Sequence, residues 1–145
     1  MGHRRVAREC ALQMMYELDV GKHSKDETLH TYWQMKEHPQ RVRDFANLLF
    51  EGTVQRLKEI DRVIQQHTKN WRLGRMAAVD RNVLRLAVFE FLSGGNTPET
   101  VVINEALEIA RKFSTLESAQ FVNGILDSIK NELRKKELRS DGKPD

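Results

Sequence analysis

Residues 80–92, DRNVLRLAVFEFL, restrict the fold more than any other stretch of the chain. At about 100° per residue, Val83, Leu84, Leu86, Ala87, Val88, Phe89, Phe91 and Leu92 cover well over half of a helical circumference. A helix apolar on that many sides needs neighbours nearly all round it, because water on any broad face would leave much of that surface unburied. The stretch therefore predicts a central helix with others packed about it, closed by the turn Ser93-Gly94-Gly95-Asn96.

The next segment, 97–129, supplies two of those neighbours. Thr97-Pro98-Glu99 reads as a helix start, with a hydroxyl at the N-cap, proline where no amide donor is needed, and an acid at the positive dipole end. Val102, Ala106, Ile109 and Phe113 then recur at intervals of 4, 3 and 4, and Ile103 and Ala110 widen the stripe. Ser114-Thr115-Leu116-Glu117 fits a capping box and predicts a second helix from about Thr115, with Phe121, Val122, Ile125, Leu126 and Ile129 apolar. Gly124 lies inside that helix, at a cost of about 1 kcal/mol against alanine. Either another helix crosses closely there, or a ligand approaches the backbone beside Phe121. Phe121 itself sits at the edge of the apolar arc, next to Ser118 and Gln120, where its ring could face an unstacked base.

Upstream, a helix is predicted from about Arg4 to Val20, ended by Gly21, with Val6, Ala7, Cys10, Ala11, Met14 and Leu18 on the buried arc. Ser24-Lys25-Asp26-Glu27 is another capping box, opening a short helix with Leu29, Tyr32 and Trp33 inward and stopped at His38-Pro39. A long helical pattern begins near Gln40 and should bend or break between Gly52 and Asp61. Asn70-Trp71-Arg72-Leu73-Gly74 reads as a connector, with Trp71 expected to plug the gap between halves. Little β-branched alternation leaves no place for a sheet. The expectation is an all-α chain of six to seven helices in two three-helix halves, one domain over 1–134 and a charged, solvated tail over 135–145.

The residue inventory argues against an enzyme. His3, His23, His30, His38 and His67 have no metal-ligand spacing, and the one cysteine, Cys10, falls on the core arc, where it reads as inert. No glycine-rich phosphate loop follows a strand. No metal or cofactor is expected. A single cysteine cannot form an internal disulfide and fits a reducing cytoplasm, and neither a membrane span nor a secretory leader is visible.

Charge distribution says more than the net charge of +3. Basic residues gather at both ends, Arg4, Arg5 and Arg8, then Lys130, Arg134, Lys135, Lys136 and Arg139. Arg4, Arg5, Arg8 and Tyr16 fall on a flank beside the core arc of the first helix. Three guanidinium groups and a phenol there could grip phosphates and stack a base; the competing reading is a solvated cationic flank.

Four separated motifs, in order, resemble the NusB family of bacterial transcription antitermination factors. They are RRVARECALQ at 4–13, VDRNVLRLA at 79–87, VINEA at 102–106 and FVNGILD at 121–127. The resemblance is in register over about residues 3–132. A related domain opens certain ribosomal RNA cytosine methyltransferases, but no methyltransferase sequence follows here. The resemblance implies an all-helical adaptor that binds the single-stranded boxA element of ribosomal RNA transcripts together with NusE, a small-subunit ribosomal protein. Further antitermination factors and RNA polymerase are then engaged indirectly. It implies Arg4, Arg5 and Arg8 on RNA phosphates with Tyr16 beside them, Phe121 and Asn123 at the RNA surface, Glu117 near it, and Asp80 on the NusE-facing side. Val6 stands where the family can carry a further arginine, and Ser114 where glycine is common. Some family members form homodimers that bury the arginine-rich surface. The alternative from a different class is therefore a protein-only helical adaptor, or a homodimer with that surface occluded.

Overall fold

The computed structural model describes residues 2–94 and 97–141, with side chains through Leu138. The described residues form seven α-helices and no strand: α1 His3–Gly21, α2 Lys25–Met35, α3 Gln40–Gln55, α4 Leu57–Gln66, α5 Ala78–Leu92, α6 Glu99–Phe113 and α7 Leu116–Asp141, with a 3-10 turn at Leu73–Arg75 before α5. Helices α1–α3 make one half and α5–α7 the other, with α4 lying against α5 and α7.

Helix α5 is the hub, touching α1, α3, α4, α6 and α7. Every residue from Asn82 to Phe89 is buried, so the apolar girdle read from sequence is covered on all sides. Its polar residues are covered too. The Arg85 guanidinium donates to both Asp61 oxygens at 2.8 and 3.0 Å and to Asn82 Oδ1 at 3.1 Å, with a longer contact to Asp19 at 3.3 Å. Arg81 reaches Asp19 at 2.7 Å and also donates to the carbonyls of Leu73 and Met76, both at 3.1 Å. Asn82 Nδ2 donates to Asp19 at 3.0 Å and to the Ala78 carbonyl at 2.9 Å. Three residues of α5 thereby fix the end of α1, the middle of α4 and the connector. Burial opposes the charged form of Asp19, but hydrogen bonds from Arg81 and Asn82 and the charges of Arg81 and Arg85 outweigh it and hold the carboxyl below its usual range.

Local signals land with small shifts. The Ser24 capping box forms, Ser24 Oγ accepting from the Glu27 amide at 3.1 Å and Glu27 Oε1 from the Ser24 amide at 3.4 Å. The later box is displaced by one residue. Thr115, not Ser114, caps α7, accepting from the Ser118 amide at 3.0 Å. At the start of α6, Pro98 takes the N-cap position and Thr97 accepts instead from Arg4 at 2.9 Å. The left-handed residue after α1 is Lys22, at φ 57°, whereas Gly21 stays helical. Gly95 and Asn96 of the turn expected after α5 lie outside the described residues.

The pattern from Gln40 breaks at Arg56, and Gly52 has a different task from bending the helix. A Cβ on Gly52 would lie 2.2 Å from Phe89 Cζ, so the glycine is where the α5 ring enters α3. At the other end, α7 continues through Asp141, past Lys135 where a tail was expected, because no breaker interrupts Asn131–Asp141. Residues 135–138 are exposed on that extension, and 142–145 lie outside the described residues. His67, at the end of α4, ties to α7 through Ser128 at 2.7 Å and a close contact with the Glu132 carboxyl. Cys10 is buried, and burial pushes its thiol pKa up, which suits the inert role.

Two expectations follow from this packing. Gly52→Ala should lower stability by about 1–3 kcal/mol through overpacking against Phe89; a denaturant midpoint equal to wild type would show that the ring moves freely aside. The depressed pKa of Asp19 stabilises the fold above the unfolded carboxylate value of about 4, and that stability is lost as pH falls through the lower folded value. Asp19→Asn should therefore unfold more readily at pH 7 and show a flatter loss of stability in acid, measured by urea melts across pH 2–6.

Candidate nucleic-acid interface

The arginines at the start of α1 do not form one exposed stripe. Arg4 is exposed, its guanidinium 4.8 Å from the Phe45 ring centroid and bonded to Thr97. Arg5 is half-buried and held bidentate by Glu105 of α6, at 2.8 and 3.2 Å. Arg8 departs furthest from expectation. It is buried, 5% exposed, and bonded bidentate to Glu90 of α5 at 2.9 and 2.9 Å. With α1 packed on α5, the Arg8 position turns inward, and a buried guanidinium needs a carboxylate to match both its charge and its fork of donors. Arg8 is thus a tie between helices and not a free phosphate contact. Beyond it, Glu9 pairs with Lys112 at 2.5 Å.

Tyr16 emerges on the same side, 40% exposed. It borders a groove of about 630 Å³ whose lining includes Leu12, Tyr32, Met35, Val79 and Phe113, between α1, α2 and the ends of α5 and α6. Val79 leads to Asp80. The expectation that Asp80 faces a partner meets a buried side chain, 7% exposed, in the first turn of α5. Ser118 of α7 donates to its Oδ2 at 3.0 Å, whereas Oδ1 has no hydrogen-bond partner. Asp80 therefore joins α5 to the start of α7, and its unpaired Oδ1 is itself buried.

In the first turn of α7, Glu117 is exposed at the positive end of the helix dipole, and Asn123 is exposed beyond it. Phe121 is half-buried and packs against the core, with its ring edge-on to Trp71 at 6.4 Å between centroids and 75° between planes. Gly124 is open. A Cβ there would meet nothing within 4 Å, so no helix crosses closely at this point. Trp71, expected as an interior plug, is 55% exposed. The connector turns the indole outward onto Phe121 because the gap between halves is already filled by α4 and the Arg81 network. No group of His, Cys, Asp and Glu suited to a metal occurs among the described residues.

The fold and this surface define a class: a small all-helical protein whose surface carries cations at the start of α1 and outward aromatics at Tyr16 and Trp71. Residues 5–131 match the profile of the NusB family. The chain belongs to the NusB family of transcription antitermination proteins. It is 52% identical over 133 residues to the transcription antitermination protein NusB of Koribacter versatilis, covering 91% of both chains. It is 47% identical over 136 residues to that of Solibacter usitatus, covering 92% of each. Its structure is similar to T. maritima NusB, with a TM-score of 0.81 at 30% identity over 91% of this chain and 92% of that one. It is equally similar, with a TM-score of 0.81 at 27% identity over 91% and 98%, to a chain in a crystal structure of antitermination factors NusB and NusE in complex with dsRNA.

The buried Arg8–Glu90 pair gives a direct test of which role Arg8 serves. Arg8→Ala should destabilise the protein by about 3–5 kcal/mol by stranding Glu90 in the interior. The double variant Arg8→Met, Glu90→Leu should regain most of that loss. Chemical denaturation of both variants checks this, and a stable single variant would return Arg8 to the surface.

Proposed function

We propose that the chain is a non-enzymatic, cytoplasmic adaptor of transcription antitermination that binds boxA-type single-stranded RNA together with NusE. Other antitermination factors and RNA polymerase are engaged through that assembly. The observation that carries the reading is the related complex of antitermination factors NusB and NusE with dsRNA, whose similar chain covers 91% of this one; it supports RNA and NusE as partners, and the preference for a single strand is this reading's own. Physically, the face running from Arg4 and Arg5 past Tyr16 to Glu117, Phe121 and Asn123 supports it. It offers guanidinium groups for phosphates, rings for stacking, and exposed polar side chains for base edges. The adaptor occupies residues 1–134, and the charged extension 135–145 stands outside it. No helix among the described residues is long and apolar enough to cross a membrane.

A second reading is favoured by one feature. Arg5 and Arg8 already have carboxylate partners, which weakens the cationic surface and suits a protein-only adaptor, or a homodimer that covers this face. Mobility shifts of a boxA RNA, with a duplex of the same sequence as competitor, separate the two. A shift that tightens when NusE is added supports the RNA adaptor; no shift with or without NusE supports the protein-only reading.

Arg4→Ala with Arg5→Ala should weaken binding to all RNAs without changing sequence preference, since phosphate contacts carry no base information. Log affinity against log salt should become shallower by about 0.7 for each arginine that meets a phosphate of a single strand. An unchanged slope in RNA titrations from low to physiological salt would leave both arginines as internal ties.

A further inference from the structure

We propose that Trp71, with Lys69, Arg72 and Arg75 close to it in sequence, forms a second stacking platform that extends the RNA track beyond Phe121 onto the connector between α4 and α5. The proposal rests on the RNA-binding reading above and adds residues to it.

An exposed tryptophan on a loose loop would say little. This one is held. Gln65 Nε2 donates to the Trp71 carbonyl at 2.8 Å and to Thr68 Oγ1 at 2.9 Å, and Thr68 Oγ1 donates to the same carbonyl at 3.0 Å. The Trp71 amide donates back to the Thr68 carbonyl at 3.2 Å, and Gln65 Oε1 accepts from the Leu73 amide at 3.0 Å. Thr68 is buried, so the brace is anchored in the body of the protein. The indole leans edge-on against Phe121, which fixes its orientation while more than half of the residue stays open to solvent. A ring fixed in this way loses little conformational freedom when a base stacks on it.

The charges around it are available. Lys69, Arg72 and Arg75 are exposed, and none has an ion-pair partner among the described residues. That contrasts with the α1 arginines, two of which are neutralised internally. Free cations interleaved with a fixed aromatic recognise a flexible polyanion that carries π faces, which is the chemistry of single-stranded RNA. A protein partner would have to offset three desolvated cations with acidic groups of its own. On α7 the exposed carboxylate of Glu117 stands one turn before Phe121, so phosphates run on the Trp71 side and Glu117 is left for base amino groups.

The experiment uses the full chain and fluorescein-labelled boxA RNA, with anisotropy for affinity and indole fluorescence for stacking. Trp33 is the internal reference, since it packs in α2 with its Nε1 donating to Asn47 at 2.8 Å. RNA should quench wild-type fluorescence, and Trp71→Phe should abolish that quenching while retaining most of the affinity. Trp71→Ala should lower affinity about 5- to 150-fold with Tm near wild type, and Arg72→Ala should lower it less and reduce the salt slope. RNA binding unchanged in Trp71→Ala, or quenching that persists in Trp71→Phe, overturns the platform. Normal RNA affinity with lost capture of NusE would assign the patch to a protein partner and overturn it equally. If the wild-type chain itself binds no RNA, the RNA reading falls and the platform with it, an outcome distinct from a wild type that binds and a variant that binds as well.

Discussion

The polar lattice on α5 is the constraint on which the rest of the structure depends. Arg81, Asn82 and Arg85 lie within five residues of one another; all three bond Asp19 of α1, and Arg85 also holds Asp61 of α4. Buried charges of this kind give modest net stability, because desolvation opposes the Coulomb gain. Their effect is on geometry. Apolar faces of α1, α4 and α5 could slide by a turn with little change in buried area, whereas a carboxylate matched to a planar guanidinium fork tolerates little displacement. With α5 fixed against α1 and α4, the Gly52–Phe89 contact can close, and α6 and α7 pack on the side that remains.

The same logic reshapes the surface. A guanidinium near a helix core becomes a tie wherever a carboxylate of another helix comes within reach, as Glu90 does for Arg8 and Glu105 for Arg5. A motif rich in arginine therefore carries less free charge than its letters suggest. Arg4 remains the open cation of that group. On the α4–α5 connector, Lys69, Arg72 and Arg75 are exposed as well and have no ion-pair partner among the described residues.

Two aromatic sites flank this region: Tyr16 lines a groove with Val79 and Phe113, and Phe121 packs edge-on against Trp71, while Asp80 and Ser118 join the start of α5 to the start of α7. Each ring is oriented before any ligand arrives, by core contacts at Phe121 and by the Gln65–Thr68 brace at Trp71. That preorganisation suits a single strand, which itself has much freedom to lose. Gly124 stands open beside Phe121: no helix crosses there, and the missing side chain leaves the α7 surface thin at that point.

The sequence by itself determined the helices, their order and their buried faces. Periodicity, caps and the apolar girdle of 80–92 are local properties, and local backbone and solvation physics acts on them directly. The family was legible as well, because four motifs held their order and spacing. Tertiary structure alone decided which polar residues are free. Arg8 and Glu90 stand 82 positions apart and Arg5 and Glu105 stand 100, so no window along the chain brings them together. Asp80, which the resemblance places on the NusE-facing side, is buried against α7, and Trp71, expected to plug the gap between halves, is turned outward by the connector. Burial and pairing of a charge depend on what packs across from it, and that partner is chosen by the fold, not by the neighbouring letters.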